Sequence, residues 1–238
     1  MTGGGRGIGR GIVLELAREG ADVAINYRRD RDAAERTGEE VRGLGRRAIV
    51  LQADVGDRTA VDAMVAQAVE FLGGLDFAVA NSGVASRVAP VADLDPAEWR
   101  RVLTTDLDGA FHTARAVIPH VMASRGVVLF ISSVGADMAA PGGAPYHVAK
   151  AGVNALTKVL AKEVAHAGVR VNAIAPGLVR SDMGERLLRF HGDVVLQAIP
   201  LGRAGEPAEI GRAAVFLASA DGAWITGKIL RIDGGQWM

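Results

Sequence analysis

The chain contains no cysteine. That excludes disulfide bridges, thiolate nucleophiles and cysteine-ligated metal centres. An excess of charge of either sign is also lacking, because 27 Lys and Arg residues face 27 Asp and Glu residues. A basic footprint for nucleic acid is therefore absent, and the arginines are interleaved with acids as on a solvated surface. No apolar run approaches the roughly 20 residues that span a bilayer. The N-terminus is glycine-rich and lacks the charged-then-apolar order of a secretion signal. The expectation is a soluble cytoplasmic protein with no metal site, no nucleic-acid partner and no membrane partner.

What is present suits one α/β domain covering residues 1–238. Hydrophobic residues make up 49% of the chain, enough for a large core. Short Val-, Ile-, Leu- and Ala-rich runs at 21–27, 48–53, 75–80, 127–132, 169–175 and 229–232 read as buried strands. Helical patterns lie between and around them, at 8–19, 32–44, 58–72, 96–124, 146–167 and 207–218. Such alternation predicts a parallel, doubly wound Rossmann-type sheet with helices on both faces. Residues 183–205 have weak periodicity and read as a mobile substrate loop with a short helix, a lid over a site.

Three short constellations carry chemistry. The first is Thr2-Gly3-Gly4-Gly5-Arg6-Gly7-Ile8-Gly9. Glycines permit a tight turn and close approach to a pyrophosphate, and the following helix aims its free N–H groups at that anion. A flexible chain terminus would look the same. Such a turn normally follows a strand, and no strand precedes this one. The second is Tyr146-His147-Val148-Ala149-Lys150. Positions i and i+4 share a helix face. An ordinary phenol, with a pKa of about 10, trades protons poorly at neutral pH, and a neighbouring ammonium lowers that barrier. Such a phenol can protonate a forming alkoxide, although a Tyr and a Lys also share a helix face by accident. The third is Ile131-Ser132-Ser133, at the end of an apolar run. A hydroxyl there can hydrogen-bond a carbonyl oxygen where charge develops, or simply begin a turn.

Their order and spacing resemble the short-chain dehydrogenase/reductase family along the whole chain. The opening glycine motif stands at Thr2 to Gly9. An acidic pair member appears in Asp54-Val55, and the Asn-Asn-Ala-Gly motif in Ala80-Asn81-Ser82-Gly83. The upstream serine and the Tyr-three residues-Lys pair are Ser133, Tyr146 and Lys150. The run from Arg170 to Gly177 follows, and Ile225-Thr226-Gly227 and Asp233-Gly234-Gly235 close the pattern.

The resemblance implies roles. Tyr146 is expected to be the general acid/base, Lys150 to tune it and hold the nicotinamide ribose, and Ser133 to orient the substrate carbonyl. Gly3, Arg6, Ile8 and Gly9 are expected to cradle the diphosphate side, and Asp54 and Val55 to flank adenine. Asn81 and Gly83 are expected to lie along the cofactor, with Pro176, Gly177, Val179 and Ser181 at its nicotinamide end. Acid at the end of the second family strand favours NAD(H). Here Asn26-Tyr27-Arg28-Arg29 stands there, and Arg28, helped by Arg6, can pair with a 2′-phosphate. NADP(H) is the expected cofactor, with NAD(H) second.

The sequence also departs from the pattern. Asp106 occupies the position of the family's catalytic asparagine, where a carboxylate adds charge near Lys150 and cannot donate a hydrogen bond. Ala80 and Ser82 replace two members of the Asn-Asn-Ala-Gly motif. The first strand, central in the order 3-2-1-4-5-6, is apparently missing. Its loss is expected to leave two neighbouring strands unpaired, open the core, weaken the fold and alter the glycine turn. The natural reading frame is expected to begin upstream, with Met1 standing for a valine codon. The segment 199–207 and the two closing motifs are most similar to the 3-oxoacyl-(acyl-carrier-protein) reductase branch. Phe190, His191, Arg186 and Arg189 are candidates for meeting an anionic carrier arm. Relatives acting on sugars, steroids or small ketones share these features, and a catalytically weakened cofactor-binding homologue is the reading from another class. The family implies a homotetramer packed through the helices beginning near Pro96 and Tyr146.

Overall fold

The computed structural model describes residues 1–138 and 140–237, and within them all side chains except those of Phe190, His191 and Asp193. Six parallel strands form among these residues: β1 (Val23–Tyr27), β2 (Ala48–Gln52), β3 (Phe77–Ala80), β4 (Val127–Ile131), β5 (Arg170–Pro176) and β6 (Ile229–Ile232). β4 reads Val-Val-Leu-Phe-Ile and is buried at every position, as a central strand covered on both faces must be. The helices are α1 (Gly7–Arg18), α2 (Arg31–Gly43), α3 (Arg58–Leu72), α4 (Pro96–Leu103), α5 (Gly109–Ser124), α6 (Ala144–Val164), α7 (Asp182–Gln197) and α8 (Pro207–Ala218). Val61, Val117 and Val153, from α3, α5 and α6, pack on one face of the sheet with Phe130. Ile12 of α1 and Ile210 of α8 pack on the other with Leu129 and Ile174. No helix among the described residues is long and apolar enough to cross a membrane.

The sheet is split. β1 and β2 form one pair, and β3-β4-β5-β6 form a separate four-stranded sheet. This is the order expected of a doubly wound sheet without its first strand, and the edges of β1 and β3 face each other across a gap. Met1 and Thr2 bridge only the upper part of it. The Met1 amine donates to the Ala24 carbonyl at 3.0 Å, and Asn26 N–H donates to the Met1 carbonyl at 2.9 Å. Thr2 N–H donates to the Val79 carbonyl at 3.0 Å. Below them lies a cavity of about 630 Å³ whose walls include Val23, Ala24, Phe77 and Ala78. The core is open as expected. These two residues tie the glycine turn to both sheets.

Two helical expectations also change. The pattern at 96–124 is not one helix: a π-helical turn, Thr104–Asp108, separates α4 from α5. Residues 183–205 are not a loop with a short helix, since α7 runs for 16 residues. Ser181 caps it by accepting from Gly184 N–H at 3.3 Å. Leu188, Val195 and Leu196 pack with Leu178, Ile199 and Ala204 in a small satellite core. Leu188 and Val195 share one side of an amphipathic helix, a periodicity that the expectation of a loop undervalued.

Candidate active site

A cleft of about 530 Å³ opens at the carboxyl ends of the strands, across the same gap between the sheets. The glycine turn forms its floor. Asn26, from β1, accepts from Gly3 N–H through Oδ1 at 3.2 Å, and its amide donates to the Leu51 and Ala53 carbonyls at 3.3 and 3.0 Å. Asn81, after β3, donates to the Thr2 and Gly3 carbonyls at 2.9 and 3.1 Å. Its own N–H donates to Thr2 Oγ1 at 2.9 Å. One asparagine from each sheet thus brackets the turn. A Cβ on Gly9 would lie 2.1 Å from the Gly3 carbonyl oxygen, so only glycine fits there. Arg6, at the N-cap of α1, makes no side-chain capping bond. The first N–H groups of α1 are left for an anion. These features fit a dinucleotide diphosphate.

In the wall of the same cleft, Tyr146 and Lys150 project from one face of α6. The helix has Pro145 in its first turn, where a missing N–H costs nothing. Lys150 Nζ stands 5.6 Å from the Tyr146 ring centre. It donates to the Ile131 carbonyl at 3.2 Å and lies 3.4 Å from Asp106 Oδ2. Both charged side chains are almost wholly buried, at 5% and 0% exposure. Asp106 sits on the π-helical turn, which moves its carboxylate into the cleft wall, and its Oδ1 accepts from Val84 N–H at 2.8 Å. A Cβ on Gly83 would come within 2.8 Å of Asp106 Oδ2 and 3.3 Å of Lys150 Nζ, so this glycine makes room for the pair. Burial raises the Asp106 carboxyl against the pull of Lys150. Burial also opposes the Lys150 ammonium, but the charges of Asp106 and Tyr146 outweigh it and hold Lys150 above its ordinary value. Each group therefore keeps its proton to higher pH than it would in water.

Most sequence-predicted residues meet in this cleft: Gly3, Arg6, Ile8, Gly9, Arg28, Asp54, Val55, Asn81, Gly83, Asp106, Tyr146, Lys150 and Ser181 all line it. Four do not. Ser133 is not among the lining residues; Ser132 is, but its hydroxyl is buried and donates to Asn154 Oδ1 at 2.7 Å. Ser133 accepts from Gly135 N–H at 3.0 Å and starts the turn just beyond β4. Pro176, Gly177 and Val179 are not among its lining residues either. Gly177 N–H donates to the Ile232 carbonyl at 3.0 Å, and Val179 bridges to Gly205.

Both expected phosphate-binding arginines already have carboxylate partners. Arg6 Nη1 lies 3.0 Å from Asp182, and Arg28 Nη1 lies 3.5 Å from Asp54. Both pairs are exposed, and exposed pairs are weak enough for an incoming phosphate to displace. Sequence reasoning missed Asn26 and Asp182. The first was hidden as a polar residue inside a strand. The second was signalled only by its place after the capping Ser181.

It also missed a clamp beside the cleft. Glu98 Oε1 accepts from Arg87 N–H at 2.7 Å, and Arg101 binds Glu98 with two bonds of 2.8 Å. Arg101 also donates to the Ala85 carbonyl at 2.7 Å. The Arg101 guanidinium holds Glu98 down to about 2. Segment 84–87 is thereby fixed to α4 beside the Asp106 carboxylate.

A parallel sheet with a glycine turn opening a helix at its carboxyl edge defines a dinucleotide-binding scaffold. Residues 3–236 match the family described as enoyl-(acyl carrier protein) reductase, and the chain belongs to the short-chain dehydrogenase/reductase family. Aligned over its whole length, it is 38% identical to the 3-oxoacyl-[acyl-carrier-protein] reductase FabG of Staphylococcus aureus, covering 97% of that protein. It is 36% identical to the versicolorin reductase of Emericella nidulans, over all of this chain and 94% of that protein. The crystal structure of a short-chain type dehydrogenase/reductase from Mycobacterium marinum superposes with a TM-score of 0.93 at 34% identity, covering 99% of this chain and 93% of that one. Levodione reductase superposes with a TM-score of 0.94 at 30% identity, covering 99% and 95%.

Proposed function

We infer that residues 1–238 act as one oxidoreductase domain that reduces a carbonyl to an alcohol with NADP(H), and that the substrate is a 3-oxoacyl group on an acyl carrier protein. The observation that carries the reaction class is the placement of Tyr146 and the buried Lys150 on one face of α6, in the wall of the same cleft as the glycine turn. The substrate class rests on the likeness to 3-oxoacyl-[acyl-carrier-protein] reductases from Staphylococcus and Synechocystis. A homotetramer belongs to the same reading, supported by exposed Phe111 on α5 and exposed Val148 and Val159 on α6.

A bound nicotinamide supplies the hydride. Tyr146 donates its hydroxyl proton to the oxygen that becomes the alcohol. Ser133, just beyond β4 and with its own hydrogen left free by the bond it accepts from Gly135 N–H, is assigned to hold that oxygen as negative charge grows on it. Lys150 keeps a positive charge beside Tyr146, and Asp106 holds that charge in place. On this reading Ser181 lines the nicotinamide end, preceded in the chain by Pro176, Gly177 and Val179, and Asp54 and Val55 bound the adenine end.

NADP(H) is favoured over NAD(H) because no acid ends β1. Tyr27, Arg28 and Arg29 line the cleft there instead. The test is kcat/KM for NADPH and NADH with a 3-oxoacyl thioester, beside simple ketones, sugars, steroids and an enoyl thioester. The NADPH value is expected to exceed the NADH value, and Arg28→Ala is expected to lower the NADPH value alone, by about 10- to 100-fold for a lost charged hydrogen bond. Equal efficiency with both cofactors removes the NADP(H) assignment. NADPH binding with no turnover of any substrate favours the weakened homologue.

A further inference from the structure

Besides Tyr146 and Lys150, the same turn of α6 carries a group to which the reaction as described gives no part. His147 Nδ1 is hydrogen-bonded to the Gly135 carbonyl oxygen. A carbonyl only accepts, so the hydrogen is on Nδ1. Gly135 is held at its other end too, since its N–H donates to Ser133 Oγ at 3.0 Å. The imidazole fills a slot between two glycines. A Cβ on Gly135 would meet His147 Nδ1 at 3.3 Å, and one on Gly143 would meet Nε2 at 2.7 Å. His147 N–H donates to the carbonyl of the N-cap residue Gly143 at 3.1 Å, an ordinary first backbone bond of α6.

We propose that His147 is a positioning residue that fixes Ser133 relative to Tyr146. The inference rests on the carbonyl-reductase reading above. Ser133 Oγ spends a lone pair on Gly135 N–H, which leaves its own hydrogen free to donate to a substrate oxygen. That orientation holds only while Gly135 stays in place, and His147 holds Gly135 from the helix that carries the proton donor. One helical turn thereby sets the distance between the two groups that must meet a single carbonyl oxygen. Reaction rates are sensitive to such spacing, and a displacement of about 1 Å can cost about 100-fold.

The experiment measures NADPH-dependent reduction of a 3-oxoacyl thioester by the wild type and by Tyr146→Phe, His147→Leu, His147→Asn, Ser133→Ala and Ser133→Ala/His147→Leu. Leu keeps the bulk of the ring without the donor, and Asn restores a donor near Nδ1. His147→Leu is expected to lower kcat by about 10- to 100-fold with the NADPH Kd and Tm unchanged, and His147→Asn to recover most of it. In the Ser133→Ala background His147→Leu is expected to cost nothing more, because it acts through Ser133. Imidazole 15N shifts are expected to place the neutral His147 hydrogen on Nδ1. The proposal is overturned by a kcat for His147→Leu within twofold of wild type, by an equal loss in both backgrounds, or by a hydrogen on Nε2. An inactive wild type, or an active Tyr146→Phe, instead removes the reductase reading beneath it.

Discussion

The two ends of the gap between the sheets are built from opposite materials. At the carboxyl end the gap is closed by polar bonds: Asn26 from β1 and Asn81 after β3 each hold the backbone of residues 2–3. At the amino end the same gap is a cavity with Val23, Ala24, Phe77 and Ala78 in its walls, and the strand edges face each other unpaired. The comparison teaches that a ligand cleft and a continuous core are separate achievements. A few hydrogen bonds position a glycine turn. Only packed apolar surface and a complete strand ladder make the sheet around it cohesive.

Substitutions at the two ends separate these contributions, and the largest effect is expected at the closed end. Tyr146→Phe removes the proton donor and leaves the glycine turn untouched. Turnover is expected to fall by about 10²- to 10⁴-fold while NADPH titration gives an unchanged Kd. Substantial remaining turnover would falsify the role of Tyr146.

At the open end the expected effect is on stability. Burial lowers the Met1 amine from 8.0 to about 6. A base with a depressed folded pKa binds fewer protons folded than unfolded, so stability falls as pH drops from about 8 towards 6 and levels off below. The two-unit depression corresponds to about 2–3 kcal/mol. Chemical denaturation across this range checks it, and acetylation of Met1 is expected to flatten the slope. A slope that survives acetylation assigns the effect elsewhere. A chain lengthened ahead of Met1 by a Val- and Ile-rich strand tests the cavity itself. Amide exchange in β1 and β3 is expected to slow relative to β4, which is already paired on both sides.

The smallest effect sharpens the closed end. Asp106→Asn takes away the carboxylate that holds Lys150 above its ordinary value, while burial, which lowers it, remains. The alkaline limb of kcat/KM is expected to move to lower pH. A profile superimposable on that of the wild type shows that the Asp106 charge does not reach the reaction.

Much of the fold was legible in advance because parallel strands buried on both faces are written as continuous apolar runs. β6 has the bounds read from the sequence, and β4 differs by one residue. The division of 96–124 was not legible, since a π-helical turn keeps helical periodicity and differs only in how the backbone bonds close. α7 was legible as an amphipathic pattern but undervalued, its apolar side facing a small satellite core rather than the sheet. In the cleft, glycine spacing and the Tyr146–Lys150 interval were visible. Asn26 was not, because a polar residue in a strand reads as an interruption until its carbonyl partners are known.

The sequence by itself determined the alternation of elements, the turn at residues 2–9, the helix face shared by Tyr146 and Lys150, and the lack of an acid after β1. These are local properties, set by residue type and spacing along one element. Tertiary structure alone decided that Met1 and Thr2 bridge two sheets, that Arg6 and Arg28 rest on Asp182 and Asp54, and that Asp106 lies buried against Lys150. It also decided that His147 reaches the Ser133 turn. Each joins residues distant in the chain, and only packing of the elements against one another fixes which charges and donors meet away from water.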